Sequence, residues 1–325
     1  MKILVTGGAG YLGSILVPKL LKKNHDVNVI DLFIFGEDVL DNHKKLKIFK
    51  GDIRNVKLLN QALVGCEVVI HLACISNDPS FELNPSLGKS INFDSFKPMI
   101  IASIKAGVNK FIYASSSSVY GIKKDKNVTE DMELSPLTDY SKYKAECEKI
   151  LLKYKSENFI TTSVRSATLC GYSRRQRLDL IVNIFANQAF NNKKMHVFGG
   201  DQLRPNIHIN DVAEFYIFLT EYKGSDINGE VYNVGLHNYP ILEIAQMVKK
   251  ELGEDVEIIK VPSADLRSYH ISSEKVKKTL NFNAKFTLND AVKDLKKAFE
   301  RKLLIKPLDN EYYFNIKRMK NLQLK

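Results

Sequence analysis

The chain has 325 residues, 44% of them hydrophobic, with 17 Gly and 9 Pro, the make-up of a folded chain about two average domains long, which excludes collagen, disordered and disulfide-scaffold classes. No run approaches the ~18 uninterrupted apolar residues of a membrane span, and the N-terminus enters an apolar strand pattern with no basic leader, so a cytoplasmic protein with no membrane partner is expected. The formal charge of +11, from 48 Lys and Arg against 37 Asp and Glu, admits a nucleic-acid surface, a membrane surface or an anionic substrate.

A first strand is predicted at Lys2–Thr6 and a first helix at Tyr11–Lys23. Between them the run from Thr6 to Gly13 reads TGGAGYLG. Gly7 permits the tight turn, Gly10 lets the backbone approach a pyrophosphate and Gly13 lets the helix pack on the strand, with Tyr11 and Leu12 at the helix N-terminus that faces the anion. The second strand, Val27–Asp31, ends on a carboxylate eighteen residues after Gly13. Asp31 there accepts from both ribose hydroxyls and repels a 2′-phosphate, so the expected cofactor is NAD rather than NADP.

A third strand at Leu46–Lys50 leads into Gly51-Asp52-Ile53-Arg54, where Asp52 suits an adenine amino group and Ile53 the ring face, or Asp52 caps the helix Val56–Val64. The fourth strand, Val68–Leu72, continues into Ala73, small enough for a cofactor to approach; a helix follows at Gly88–Ala106 and a fifth strand at Lys110–Ala114. After the hydroxyl run Ser115–Ser118 and Tyr120-Gly121, the helix Asp139–Glu157 opens with Tyr140 and Lys144 one turn apart on one face. Lowering a tyrosine by ~3 units from its usual 10 takes about 4 kcal/mol. A lysine about 4 Å away, aided by a positive nicotinamide ring, is expected to supply it. Tyr140 then serves as general base, and a hydroxyl of the serine run positions the reacting alcohol.

A sixth strand at Ile160–Arg165 completes a Rossmann-type doubly wound parallel sheet of α/β class. Beyond Cys170 come a helix (Leu180–Asn191), a strand (Met195–Phe198), an Arg-containing loop, a helix (Asn210–Glu221) and a strand (Val231–Val234), then helices at Ile241–Leu252, Ser273–Leu280 and Leu288–Leu303. The division expected is residues 1–170 plus about 205–237 for NAD and about 171–204 plus 238–325 for a smaller C-terminal α/β substrate lobe. Only nine basic residues are Arg, and five of them (Arg165, Arg174, Arg175, Arg177, Arg204) fall within one forty-residue stretch. Dispersed Lys reads as solvated helix faces, which argues against nucleic acid, while the guanidinium cluster suits phosphate or is a solvated basic loop. Cys66, Cys74, Cys147 and Cys170 lack ligand spacing, so no metal is expected. A non-catalytic NAD sensor or RNA-binding protein would tolerate loss of Tyr140; the chain lacks the aromatic-basic interleaving of an RNA platform.

These motifs together resemble the extended short-chain dehydrogenases/reductases of the NAD-dependent nucleotide-sugar epimerase/dehydratase type over nearly the whole chain: the GGAGYLG loop, Asp31, Gly-Asp-Ile-Arg, Ser-x-x-x-Tyr-Gly, Tyr-x-x-x-Lys, Arg165–Gly171 and Arg204. The resemblance implies NAD as cofactor, a nucleotide-diphosphate sugar as substrate and a homodimer or homotetramer formed through the helices at Gly88–Ala106 and Asp139–Glu157. It selects Ser116, four residues before Tyr120, as the catalytic hydroxyl beside Tyr140 and Lys144, and adds Leu72, Ala73 and Asn92 to the cofactor site. For the sugar nucleotide it points to Ser76, Asn77, Ser116, Thr168, Arg174, Asn183 and Arg204, with Arg267 replacing the arginine that UDP-sugar epimerases carry where this chain has Pro262.

Family members that eliminate water carry an Asp-Glu pair after the catalytic hydroxyl, where this chain has Ser117 and Ser118. A 4,6-dehydratase is therefore disfavoured against a 4-dehydrogenase or a 4-epimerase with tightly bound NAD. The stretches Ala73–Leu83, Ala167–Arg174 and Arg204–His208 are similar to a narrower group that oxidises GDP-manno-heptose at C4 in bacterial capsule heptose synthesis.

Overall fold

In the computed structural model, which describes residues 1–125, 127–263 and 268–322, short apolar runs and amphipathic helices alternate through the first 170 residues. The elements are β1 (Lys2–Thr6), α1 (Gly13–Lys22), β2 (Asp26–Asp31), β3 (Leu46–Lys50), α2 (Val56–Leu63), β4 (Val68–His71), α3 (Asp78–Glu82), α4 (Pro85–Lys89), α5 (Phe96–Lys105), β5 (Lys110–Ser116), α6 (Asp139–Leu152), β6 (Ile160–Ser166) and β7 (Thr168–Cys170). There follow α7 (Ile181–Asn192), β8 (Lys194–Phe198), β9 (Leu203–His208), α8 (Ile209–Glu221), β10 (Glu230–Val234), β11 (His237–Pro240), α9 (Ile241–Leu252), β12 (Glu257–Val261), α10 (Glu274–Leu280), α11 (Leu288–Glu300) and α12 (Asn315–Leu322).

The main sheet is parallel throughout, in the order β10-β6-β5-β4-β1-β2-β3. Its central strands are apolar on both faces because helices cover both: α1 and α8 lie on one side, α2, α5 and α6 on the other. The order reverses between β1 and β4, the point where a doubly wound sheet opens a crevice at its carboxyl ends. A separate core of Leu178, Val182, Phe185, Ile244, Val248, Val292 and Leu295 fills the C-terminal α/β region, where α7, α9 and α11 pack beside the paired β8 and β12.

Several elements differ from expectation. The helix predicted at Gly88–Ala106 is broken: α4 runs into a π-turn at Ser90–Asp94 before α5, with Asn92 held by both backbone groups of Ile75 at 2.8 and 2.9 Å. The helix predicted to Glu157 stops at Leu152, ahead of a tight Ser156–Phe159 bridge. The Arg-containing loop is a strand, β9, parallel to β7 and antiparallel to β11. No described helix is long and apolar enough to cross a membrane.

His71, at the end of β4, is buried against Phe96 and Tyr113, with Nδ1 2.7 Å from the Thr6 hydroxyl. Burial, then the Lys144 charge, pushes its imidazole down to about 3. Unfolding returns it to about 6.5, so the unfolded chain binds the extra proton between those values and stability falls as pH falls. Above pH 6.5 this contribution is fully present; below it the wild type should lose about 1.4 kcal/mol per pH unit relative to His71→Gln. Parallel urea titrations of the two proteins at pH 6.5, 5.5 and 4.5 measure the difference, and identical slopes would refute it.

Candidate active site

The carboxyl ends of the central strands open into a cleft of about 480 Å³. On one side β1 ends at Thr6 and the chain turns through Gly7, at φ 72°, to the start of α1. A Cβ at Gly13 would stand 2.5 Å from the Gly8 carbonyl oxygen and 2.6 Å from that of Gly7. Only glycine lets the helix start close on this loop. At the end of β2, Asp31 accepts the Ala9 and Phe33 backbone N–H groups at 2.9 and 2.8 Å, so its carboxylate is fixed beside the loop. Burial raises the Asp31 pKa, while those N–H groups and the Arg175 charge oppose the rise. Ile53, Leu72 and Ala73 line the cleft with Gly7, Gly10, Tyr11 and Leu12. Asp52 lines it too, paired with Arg54 at 2.7 Å. A helix N-terminus for a diphosphate, a fixed carboxylate for a ribose and an apolar slot for a ring make a set that fits NAD.

On the other side stand Ser116, Tyr140 and Lys144. Successive side chains alternate along β5. Ser115 therefore turns away to Glu148, while Ser116 faces the cleft, with its Oγ 2.9 Å from that of Ser118. A capping box between Thr138 and Ser141 starts α6 and sets Tyr140 in its first turn. Lys144 donates to the Ala114 carbonyl at 2.6 Å, and its Nζ lies 5.7 Å from the Tyr140 ring centroid. The Asn77 backbone N–H lies on the side of the phenol where it favours the charged form. Asn77, at φ 72°, caps α3 through the Ser80 N–H.

The expected lowering of Tyr140 is corrected by its surroundings. Burial dominates and raises the phenol above its usual range, Cys74 and Asp78 raise it further, and Arg177 and the Asn77 N–H oppose. The protein's own groups thus favour the protonated hydroxyl.

Ser76, Asn77, Thr168 and Arg204 also line the cleft. Three expected contacts do not. Arg174 turns outward to Asp41 at 2.6 Å and to the Asp38 carbonyl. Asn183 is fully buried, accepting the Gly171 N–H at 3.0 Å and donating to the Tyr11 hydroxyl and the Arg177 carbonyl. Asn92 bonds Ile75, as described, so both asparagines shape the wall from behind. Arg267 lies outside the described residues.

Of the arginine cluster, the structure brings Arg175 and Arg177 into the cleft, 3% and 8% exposed, as the phosphate reading expects and the solvated-loop alternative does not. Arg177 pairs with Asp179 at 2.9 Å and approaches Ser76. Arg175 lies over Phe35 and donates to Asn315 at 2.6 Å, both also lining residues absent from the sequence reading. Arg175 Nε and Arg177 Nη2 are buried without a hydrogen-bond partner among the described residues. Among the described residues no group of three His, Cys, Asp or Glu is placed to hold a metal ion. A phenol, an ammonium and a hydroxyl around one space beside an anion-binding helix end can take a proton from an alcohol and hold its oxygen.

A model of the family described as "NAD dependent epimerase/dehydratase family" matches residues 3–235. The chain is 29% identical over 275 residues to a UDP-glucose 4-epimerase of Lactobacillus helveticus, covering 79% of this chain and 83% of that one. It is 31% identical over 264 residues to the uncharacterized UDP-glucose epimerase YtcB of Bacillus subtilis, covering 77% and 81%. The crystal structure of a UDP-glucose 4-epimerase with UDP-glucose from Thermotoga maritima superposes with a TM-score of 0.85 at 26% identity, covering 94% of this chain and all of that one.

Proposed function

Because the chain belongs to the NAD dependent epimerase/dehydratase family, we propose that this NAD-dependent enzyme oxidises the C4 hydroxyl of a nucleotide-linked sugar to a 4-ketone, with Tyr140 as general base. The observation that carries the reading is the meeting of Ser116, Tyr140 and Lys144 in the same cleft as the glycine loop and Asp31. Bound NAD supplies the acceptor for the C4 hydride. Tyr140 Oη takes the proton of the C4 hydroxyl; Ser116 Oγ holds the oxygen from which it leaves; Lys144 supplies the positive charge that favours the phenolate. Burial works against that charge by raising Tyr140, and the positive nicotinamide ring of bound NAD would add to the Lys144 charge. Ser117 and Ser118 bring no carboxylate to the neighbouring carbon, which supports an outcome other than elimination.

For the substrate we propose GDP-manno-heptose, released as the 4-keto sugar for surface polysaccharide synthesis, with the lobe of about 171–204 and 238–325 selecting the sugar, and a homodimer or homotetramer as the working assembly. A second reading, a 4-epimerase that returns the hydride, is favoured by the likeness to UDP-glucose 4-epimerases. Incubating the protein with GDP-manno-heptose, NAD and a keto-acid hydride acceptor should yield a 4-keto product by NMR. Accumulation of only the C4 epimer of a UDP- or GDP-sugar, with no net NADH, replaces the first reading by the second; no product from either class of sugar overturns both.

A further inference from the structure

We propose that Arg175 is the cation that holds the diphosphate of NAD, reaching it from the 171–177 arm rather than from the glycine loop. The inference rests on NAD being the cofactor and adds a residue to its site.

The glycine loop from Gly7 to Gly13 contains no Lys or Arg. Backbone N–H groups and a helix N-terminus there offer only partial charge against a dianion. The cations lining the cleft among the described residues are Lys144, Arg175, Arg177 and Arg204. Lys144 is bonded beside Tyr140, Arg177 is paired with Asp179, and Arg204 lies over Tyr269 and bonds the Leu203 carbonyl. Arg175 has the different position. Its backbone N–H donates to the Ser14 hydroxyl at 3.3 Å, in the first turn of α1. Two residues earlier, Ser173 Oγ donates to the Tyr11 carbonyl at 2.9 Å. The arm is therefore seated on the helix end where a diphosphate belongs.

The guanidinium is built for an anion. It stacks 3.7 Å from the Phe35 ring centroid, and Nη2 donates to Asn315 Oδ1 at 2.6 Å. Among the described residues Nη1 reaches only the Gln176 carbonyl, at 3.4 Å. No carboxylate lies within ion-pair distance of it among the described residues, and Nε is buried with no partner. A buried charge with one donor unsatisfied is costly unless a counter-charge completes it, and a diphosphate oxygen is an acceptor of the right kind. Burial brings the guanidinium down to about 9, with Arg177 adding to the fall, so it is a cation at neutral pH. Asp31 and Asp179 act on it from a distance and are committed elsewhere, to backbone N–H groups and to Arg177.

The test is calorimetric titration of NAD, ADP-ribose, adenosine, UDP and GDP into the wild type, Arg175→Met and Arg175→Lys. The expected pattern is an about 10- to 100-fold loss for NAD and ADP-ribose in Arg175→Met, partial recovery in Arg175→Lys, and no change for adenosine, UDP or GDP. Overturning results are an ADP-ribose affinity within about twofold of wild type in folded Arg175→Met, an equal loss for adenosine, or a loss confined to UDP or GDP. If Arg175→Met does not fold, Asn315→Leu keeps the guanidinium but removes its acceptor. A smaller loss in the same ligand order then supports the assignment, and unchanged ADP-ribose binding overturns it. A wild type that binds no NAD overturns the cofactor reading together with this one.

Discussion

Tyr140→Phe should lower turnover by about 10²- to 10⁴-fold, the range for removing a positioned acid-base group, while NAD stays bound. The substitution deletes one oxygen. The ring keeps its edge contact with Phe81 of α3, at 6.5 Å between centroids, and its packing against the core. What is lost is the atom that would take the proton. Lys144, bonded to the Ala114 carbonyl, keeps its place. Rapid-quench assay of 4-keto formation, with NAD content measured after heat release, separates the two functions. Turnover near wild type would remove Tyr140 from the mechanism, whereas loss of NAD together with activity would make it a cofactor ligand instead. A pH profile adds a sign: because burial disfavours the phenolate, the rate should climb with pH until the phenol in the complex has titrated.

The largest effect on stability is expected from Glu148→Ala, about 3–5 kcal/mol, the cost of stranding a buried charge. Glu148 and Arg165 are 7% and 4% exposed and pair at 2.7 Å between α6 and β6. Arg165 donates besides to the Tyr120 hydroxyl at 2.7 Å and the Glu130 carbonyl at 3.1 Å, and Glu148 also accepts from Ser115. Removing the carboxylate leaves a buried guanidinium with two neutral hydrogen-bond partners. The pair is not thereby shown to be stabilising in itself: the double variant Glu148→Ala/Arg165→Met should be less damaged than Glu148→Ala alone, since it strands no charge. Urea unfolding of the three proteins decides; a single variant within about 1 kcal/mol of wild type would mean water reaches Arg165. The same cluster anchors the end of β5, so Ser116 should lose definition as the fold loosens.

Much of the architecture is legible because local and global signals agree. Lys2–Thr6, Leu46–Lys50 and Ile241–Leu252 end where the chain meets Gly7, Gly51 and Gly253, and the glycine loop and Tyr140–Lys144 spacing are local patterns. The illegible parts depend on partners distant in the chain. β9 carries Arg204, Pro205 and Asn206, a poor strand by propensity; it forms because β7 and β11 pair with it on either side. Arg175 sits among charges that look solvated, and it is buried by Phe35 and by Asn315, the latter 140 residues away. Asn183 and Asn92 have the chemistry of ligand contacts, yet face loops that only the tertiary fold brings near. The rise in the Tyr140 pKa likewise follows from enclosure, which residue spacing does not report.

Tyr11 belongs to the glycine loop, yet its hydroxyl donates to the Gly171 carbonyl at 2.6 Å and accepts from Asn183 at 2.8 Å. Ser14 Oγ, one turn on, lies 2.6 Å from Ser173 Oγ. The wall on the cofactor's side and the arm that carries Arg175 and Arg177 are therefore one hydrogen-bonded piece. Occupancy of either side acts on a shared scaffold, and thermodynamic linkage is reciprocal: by whatever factor NAD changes the affinity for the sugar nucleotide, the sugar nucleotide changes the affinity for NAD.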